Sequence, residues 1–251
     1  MKTNNKAISL HEISTNKAAE LPLSARIAIF PIGSNEQHGP HLPTGTDTII
    51  LNAVVEGVKQ RLGADEPFVF LPSMPIGKSP EHMDFCGTVT FRATTLIAIL
   101  QDIVSSMQKH GVRKMVFLNS HGGNSALLNS VANELHYTYG VEITCLNLWS
   151  REFTSSAEYK QLLPQLAYPD IHASFVETSL LLYLTPDLVG EVPHGIMPKS
   201  SFPRLSTGWV TKDLSDTGVI GDLADCNAAD GEKIYNYMVE KTAAYLREIA
   251  G

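Results

Sequence analysis

Short apolar runs alternate along this chain with longer runs whose apolar residues recur every three to four positions, and that alternation constrains the fold most. Arg26–Ile32 (RIAIFPI) reads as a strand, broken by Pro31 and Gly33. From Asp47, Ile50, Val54, Val58 and Leu62 fall four apart, so the spacing predicts a helix that Thr46 or Asp47 can cap. Pro67–Leu71 and Thr88–Phe91 read as strands. Thr94–His110 reads as a helix with Leu96, Leu100, Ile103 and Met107 on one face and Gly111 as its stop. Lys114–Leu118 and Val141–Leu148 are strands on the same criteria, and Asn124–Tyr139, Ser174–Leu184 and Asn227–Ile249 are helices. Strand–helix–strand units of this length connect by right-handed parallel crossovers, which implies an α/β sheet covered on both faces. Gly, Pro and Ser thicken in Pro193–Gly208, but a helix follows, so the segment reads as a long loop and residues 1–251 as one domain.

Composition narrows the class. Of the 251 residues 43% are hydrophobic and 18% charged, a balance that excludes a disordered chain. The net charge of −7, with no run of Lys or Arg, argues against a nucleic-acid or anionic-membrane partner. No apolar stretch approaches the ~18–20 residues of a membrane span. The first residues, MKTNNKAISLHEIS, lack the apolar segment of a secretory signal. Cys86, Cys145 and Cys226 are far apart, which points to reduced thiols and a cytoplasmic location.

In open α/β sheets the chemistry collects in loops beyond the carboxyl ends of strands. Three such loops carry metal-ligand residue types. The first runs from Gly33 to Asp47 (GSNEQHGPHLPTGTD). Glu36 and His38, two apart, point the same way in extended backbone, and Asp47 starts the next helix, where its carboxylate is favoured by the dipole. Taken singly these residues suit turn formation and capping; together they favour metal ligation. The second, Asn119-Ser-His121-Gly-Gly-Asn124, places a histidine at a strand end before two glycines. Gly122 and Gly123 can form an anion-binding nest there, or a plain turn capped by Asn124. The third, His172 to Ser179, sets Glu177 in an apolar helix, where an unpaired carboxylate is costly and a cation would compensate it; exposure on an amphipathic helix is the alternative. Glu36, His38, Asp47, His121 and Glu177 form an N/O donor set without cysteine. Such a set suits one catalytic Zn²⁺ or Mn²⁺, or two metals bridged by Asp47 around a shared hydroxide, the machinery of amide hydrolysis.

At these residues the sequence resembles the creatininase family (creatinine amidohydrolases and relatives). PIGSNEQHGPHLPTGTDT (Pro31–Thr48), GTVT (Gly87–Thr90), HGVRKMVFLNSHGGN (His110–Asn124) and HASFVETSLLLYLTPDLVG (His172–Gly190) carry the likeness, with a glycine-aspartate turn at Gly218–Asp222. The resemblance implies a three-layer α/β/α sandwich with a mostly parallel central sheet. It also implies two divalent ions per chain (Zn or Mn, with Fe an option) and a homo-oligomer, often a hexamer. It assigns Glu36, Asp47 and His121 to the first metal, His38 and the bridging Asp47 to the second, and His172 to substrate contact and proton transfer. Ser79 matches a substrate-contacting serine, and Trp149 is a candidate to stack on substrate. His82, Gly122 and Gly123 complete the expected substrate-facing set, while His41 and His82 can also orient ligands. Gly123 stands where creatinine-hydrolysing members carry a metal-ligating glutamate. That departure argues against creatinine and leaves Glu177 to complete the second site.

The expectation is therefore a metal-dependent amidohydrolase, cutting the C–N bond of a small cyclic or formylated amide other than a peptide. His172 is its proton donor. The alternatives are a non-catalytic metal- or ligand-binding relative and a keto-sugar ring hydrolase using the same metals.

Overall fold

The computed structural model describes residues 6–194, 196, 199 and 207–251. Its strands are β1 (Ile8–Ser9), β2 (Ile27–Ile32), β3 (Phe68–Phe70), β4 (Lys114–Asn119) and β5 (Glu142–Asn147). Its helices are α1 (Thr15–Glu20), α2 (Thr46–Arg61), α3 (Ala93–Lys109), α4 (Gly122–Tyr139), α5 (Arg151–Thr154), α6 (Ala157–Leu162), α7 (Phe175–Leu184), α8 (Thr211–Leu214) and α9 (Ala228–Ala250). The strands form one parallel sheet in the order β1-β3-β2-β4-β5. Helices cover both sides, as the alternating pattern implied.

Side-chain alternation along each strand sorts the core into two layers. Ile27 and Ile29 of β2, Phe68 and Phe70 of β3, and Val116 and Leu118 of β4 pack with Ile50 and Val54 of α2, Leu180 of α7 and Ile234 of α9. Ala28, Phe30 and Ile32, with Val69, Met115 and Phe117, face the other way onto Leu96 and Leu100 of α3 and Leu128 and Val131 of α4. Each such fully buried side chain contributes about 1.5–3 kcal/mol. Strands buried on both faces read as continuous apolar runs, which is why RIAIFPI and KMVFLN stand out in the sequence.

Three expectations change. Thr88–Phe91 is no strand: Val89 bridges Asn35 and Phe91 N–H bonds the Gly77 carbonyl, so the segment braces loops beyond the sheet edge. Helix α4 begins at Gly122, two residues early, with His121 as its N-cap residue. Neither Thr46 nor Asp47 caps α2. The cap position is Gly45, Thr46 Oγ1 donates to the Pro43 carbonyl, and the Asp47 side chain turns into the site described below. The Pro193–Gly208 loop lies mostly outside the described residues.

Register explains where the site forms. Ile32 pairs with Asn119, and Asn119 with Asn147, so β2, β4 and β5 end level. The chain leaves β2 toward β3 on one side and returns to β4 on the other, which opens a crevice between β2 and β4 at their carboxyl ends. Among the described residues no helix is long and apolar enough to cross a membrane.

Candidate metal centre

Backbone bracing fixes the loops that enter this crevice. In the loop after β2, Glu36 N–H bonds the Thr44 carbonyl, and Ser34 Oγ donates to Glu36 Oε2 at 3.0 Å. Ser120 Oγ donates to the Asp47 carbonyl at 2.9 Å, joining the start of α2 to the end of β4. Asn124 ties three segments together: its Nδ2 donates to Gly33 O and Asn119 Oδ1, while its Oδ1 accepts from Lys78 N–H. His172 is held by a two-way backbone pairing with Ile220, the role of the Gly218–Asp222 turn. Ala173 follows with φ +51, and its N–H donates to Glu177 Oε2 at 2.6 Å.

The five expected ligands converge, together with His82 and His172. Among the described residues Glu36, Asp47 and His121 each bring a ligand atom within 4.8 Å of the others, and so do His38, His172 and Glu177, and Glu36, His82 and His172. His121 Nδ1 lies 3.2 Å from Glu36 Oε2 and 3.5 Å from Asp47 Oδ2. His38 Nε2 lies 3.6 Å from Glu177 Oε1 and 4.0 Å from Asp47 Oδ1. Asp47 thus turns one oxygen toward each imidazole. Both rings have their other nitrogen committed: His38 Nδ1–H donates to the Glu36 carbonyl and His121 Nε2–H to the Lys78 carbonyl. That fixes the tautomer so that a bare lone pair faces the carboxylates, the arrangement a metal-ligating histidine requires.

Electrostatics point the same way. Glu36, Asp47 and Glu177 are 1%, 2% and 9% exposed, and three carboxylates are not buried together without compensation. Burial and the nearby Glu36 carboxylate push the Asp47 carboxyl well above its usual range. Burial alone would lower both histidines, but Glu177 and Asp47 raise His38 to about 10, and Glu36 and Asp47 raise His121 to about 9. Glu36 and Glu177 stay low because, against burial, His121 and His38 respectively hold them ionised. Protons would have to stand in for missing positive charge. His38 Nε2 and Asp47 Oδ2 are buried without a hydrogen-bond partner, and they face this same space. A divalent cation answers both deficits, and the N/O donors suit zinc or manganese.

The remaining expected residues take varied places. His172 Nε2–H donates to the Gln37 carbonyl at 2.8 Å, which leaves its Nδ1 bare, 3.7 Å from Glu36 Oε1. His82, Gly122, Gly123 and Trp149 line a cavity of about 1110 Å³ that also reaches Glu36, Asp47, His121, His172 and Glu177. Trp149 Nε1–H donates to the Ser120 carbonyl, so its ring is fixed. Ser79 is fully buried outside that lining; its hydroxyl meets Ser34 and lies 3.2 Å from His121 Nε2. Gly123 leaves room for close packing, because a Cβ there would overlap Glu81 Oε1 and His121 Nε2. The Glu81 carboxylate therefore lies beside Gly123, 3.9 Å from His121 Nε2. His41 turns away to Thr178 Oγ1 at 2.8 Å.

Sequence reasoning passed over three features of the site. Gln37, between two expected ligands, contacts both His82 and His172. Glu81 stands beside an expected residue, His82. The outer wall, with Tyr159, Leu163, Tyr168 and Trp209, comes mostly from a stretch without clear periodicity. For Gln37 the available signal was its position inside Glu36-Gln-His38.

Taken with the crevice at the β2/β4 crossover, the buried carboxylate–imidazole cluster defines a metal-binding α/β protein of hydrolase type. The family profile described as creatinine amidohydrolase matches residues 11–246, and the chain belongs to the creatininase family of amidohydrolases. It is 34% identical over 237 residues to the mycofactocin precursor peptide peptidase of Mycolicibacterium smegmatis, covering 92% of this chain and 88% of that one. It is 31% identical over 243 residues to the creatinine amidohydrolase of Pseudomonas putida, covering 88% and 89%. A solved manganese form of creatininase superposes with a TM-score of 0.80 at 26% identity, covering 97% of this chain and 98% of that one.

Proposed function

We propose that this protein hydrolyses a C–N amide bond at a two-metal centre held by Glu36, Asp47 and His121 on one side and His38, Asp47 and Glu177 on the other. The single observation that carries the reading is Asp47, whose two oxygens address two imidazoles that each present a bare nitrogen. Each group then offers three protein ligands, the number typical of a catalytic zinc site. Two bound zinc or manganese ions would supply Lewis acidity at the carbonyl and a water acidified toward neutral pH. His172 has its Nδ1 lone pair toward the same space, so it can accept a proton from the attacking water and return it to the leaving nitrogen. Glu36 and Glu177 keep the surroundings anionic and the ligands ordered, and the buried walls limit bulk water.

A peptide bond is favoured over a small ring amide by the size of the cavity. At about 1110 Å³ it exceeds the roughly 300–1,000 Å³ of ligand pockets. Its apolar outer wall suits side chains on either side of a scissile bond, and the peptidase relative supports the same reading. The test is turnover by the metal-reconstituted protein on creatinine, a hydantoin, a formamide and short peptides. Expected is cleavage of a peptide, abolished by chelation and restored by zinc or manganese. Metal binding with no turnover on any member of the panel would favour a non-catalytic binding protein.

A further inference from the structure

A chain of hydrogen bonds through Gln37 fixes where the protons sit on two histidines of the cavity. Gln37 Oε1 accepts from Gly39 N–H at 2.9 Å, and Gln37 Nε2 donates to the Gly218 carbonyl at 3.2 Å. A backbone N–H can only donate and a carbonyl can only accept, so the orientation of this amide is determined. Its Nε2 is also 2.7 Å from His82 Nδ1. An amide NH₂ has nothing to accept with, so His82 Nδ1 must be the acceptor, and the neutral ring carries its proton on Nε2. The Thr211 hydroxyl, 2.9 Å from the same Nδ1, can serve as a second donor. His82 Nε2 faces the cavity, 3.4 Å from Glu36 Oε1. Gln37 Nε2 also lies 3.0 Å from His172 Nε2, but its two hydrogens go to the Gly218 carbonyl and His82 Nδ1, so the His172 Nε2–H is given to the Gln37 main-chain carbonyl and its bare Nδ1 faces the site. The two rings lie 4.4 Å apart between centroids. One therefore presents a donor and the other an acceptor to the same volume.

We propose that His82 is the hydrogen-bond donor to the substrate's amide carbonyl, stabilising the negative charge that develops on that oxygen, and that Gln37 is the positioning residue that turns the His82 N–H into the cavity. The proposal rests on reading the site as an amide hydrolase. A neutral imidazole suits this task, because it donates a hydrogen bond and keeps its proton, leaving proton transfer to His172. It also fits the pairing of the rings, since attack on an amide needs a donor at the oxygen and a separate base for water.

The test combines nitrogen NMR with kinetics on the zinc-loaded protein. With ¹⁵N-labelled histidine, His82 is expected to show an unprotonated Nδ1 and a protonated Nε2. Acetate, which belongs to the carboxylate product class, should shift the Nε2–H signal. Gln37→Glu replaces the donor with an acceptor and should move the His82 proton to Nδ1. His82→Leu should lower kcat about 10²–10³-fold, the usual loss for one such donor, with metal content unchanged. His82→Gln, which keeps an N–H near the same place, should recover part of that loss. A proton on His82 Nδ1 in the unsubstituted protein, or a signal indifferent to acetate, would overturn the proposal. So would loss of metal in His82→Leu with unchanged turnover per bound ion, because His82 would then only steady Glu36. A protein that cleaves no amide while its His82 N–H still responds to acetate would instead overturn the hydrolase reading and leave the donor assignment standing.

Discussion

The two proposed ligand groups meet at Asp47 but are built from different depths of the fold. Glu36, Asp47 and His121 come from the loop after β2, the first turn of α2 and the cap of α4, all at the level ends of adjacent strands. Their bracing is short-range and polar, through Asn124, Ser120 and Ser34. The other group joins His38 and Asp47 of that edge to Glu177 and His172, which arrive more than 120 residues later on and just before α7. Helix α7 is seated by α9, against which it packs so closely that a Cβ at Gly231 would overlap the Ser179 carbonyl. The first group follows from how a parallel sheet ends. The second exists only when the outer helical layer has docked.

Losing the shared residue should erase this contrast, and that is the largest effect expected. Asp47→Ala takes a ligand from each ion and the link between them, so elemental analysis should fall from close to two metals per chain toward none, with activity lost. Full occupancy in that variant would mean that the groups do not share a bridge. Glu177→Gln should separate the groups. One metal should leave and the other stay, because Glu36, Asp47 and His121 are untouched, and turnover should fall with the lost ion. Equal loss of both ions would show that the two groups are one cooperative site.

The smallest effect is a pH dependence that exists only without metal. In the metal-free protein His121 and His38 are raised to about 9 and about 10, above the ~6.5 of an unfolded histidine. A raised pKa stabilises the fold fully below about 6.5, and that contribution is lost as pH climbs through 9 and then 10. Calorimetry of chelated protein should therefore show Tm declining across that alkaline window. Zinc-loaded protein should lack the decline, because both rings are already neutral when they ligate. Parallel curves with and without zinc would refute the assignment of both histidines.

The contrast also marks what could be read in advance. Glu36, His38, Asp47 and His121 were legible because they cluster in strand-end loops, where spacing alone restricts direction. Glu177 was legible through its conflict with apolar neighbours. Ser79 was expected to face substrate and is instead found buried against His121, because nothing local distinguishes a hydroxyl open to a cavity from one packed beside a histidine. Thr88–Phe91 has the β-branched and aromatic content of a strand, but strand content creates a strand only where a sheet edge is available. Glu81 and Gly123 are 42 positions apart, and nothing in either segment announces that one fills the space beside the other.

By itself the sequence determined the parallel α/β architecture, the family and the ligand types, because these depend on periodicity and on residues close together in the chain. Tertiary structure alone decided which oxygen of Asp47 faces which imidazole, that Gln37 lies against both His82 and His172, and that Glu81 sits beside Gly123. Those facts depend on distances of 3–4 Å between segments that only packing brings together, and hydrogen-bond direction has no meaning until both partners are in place.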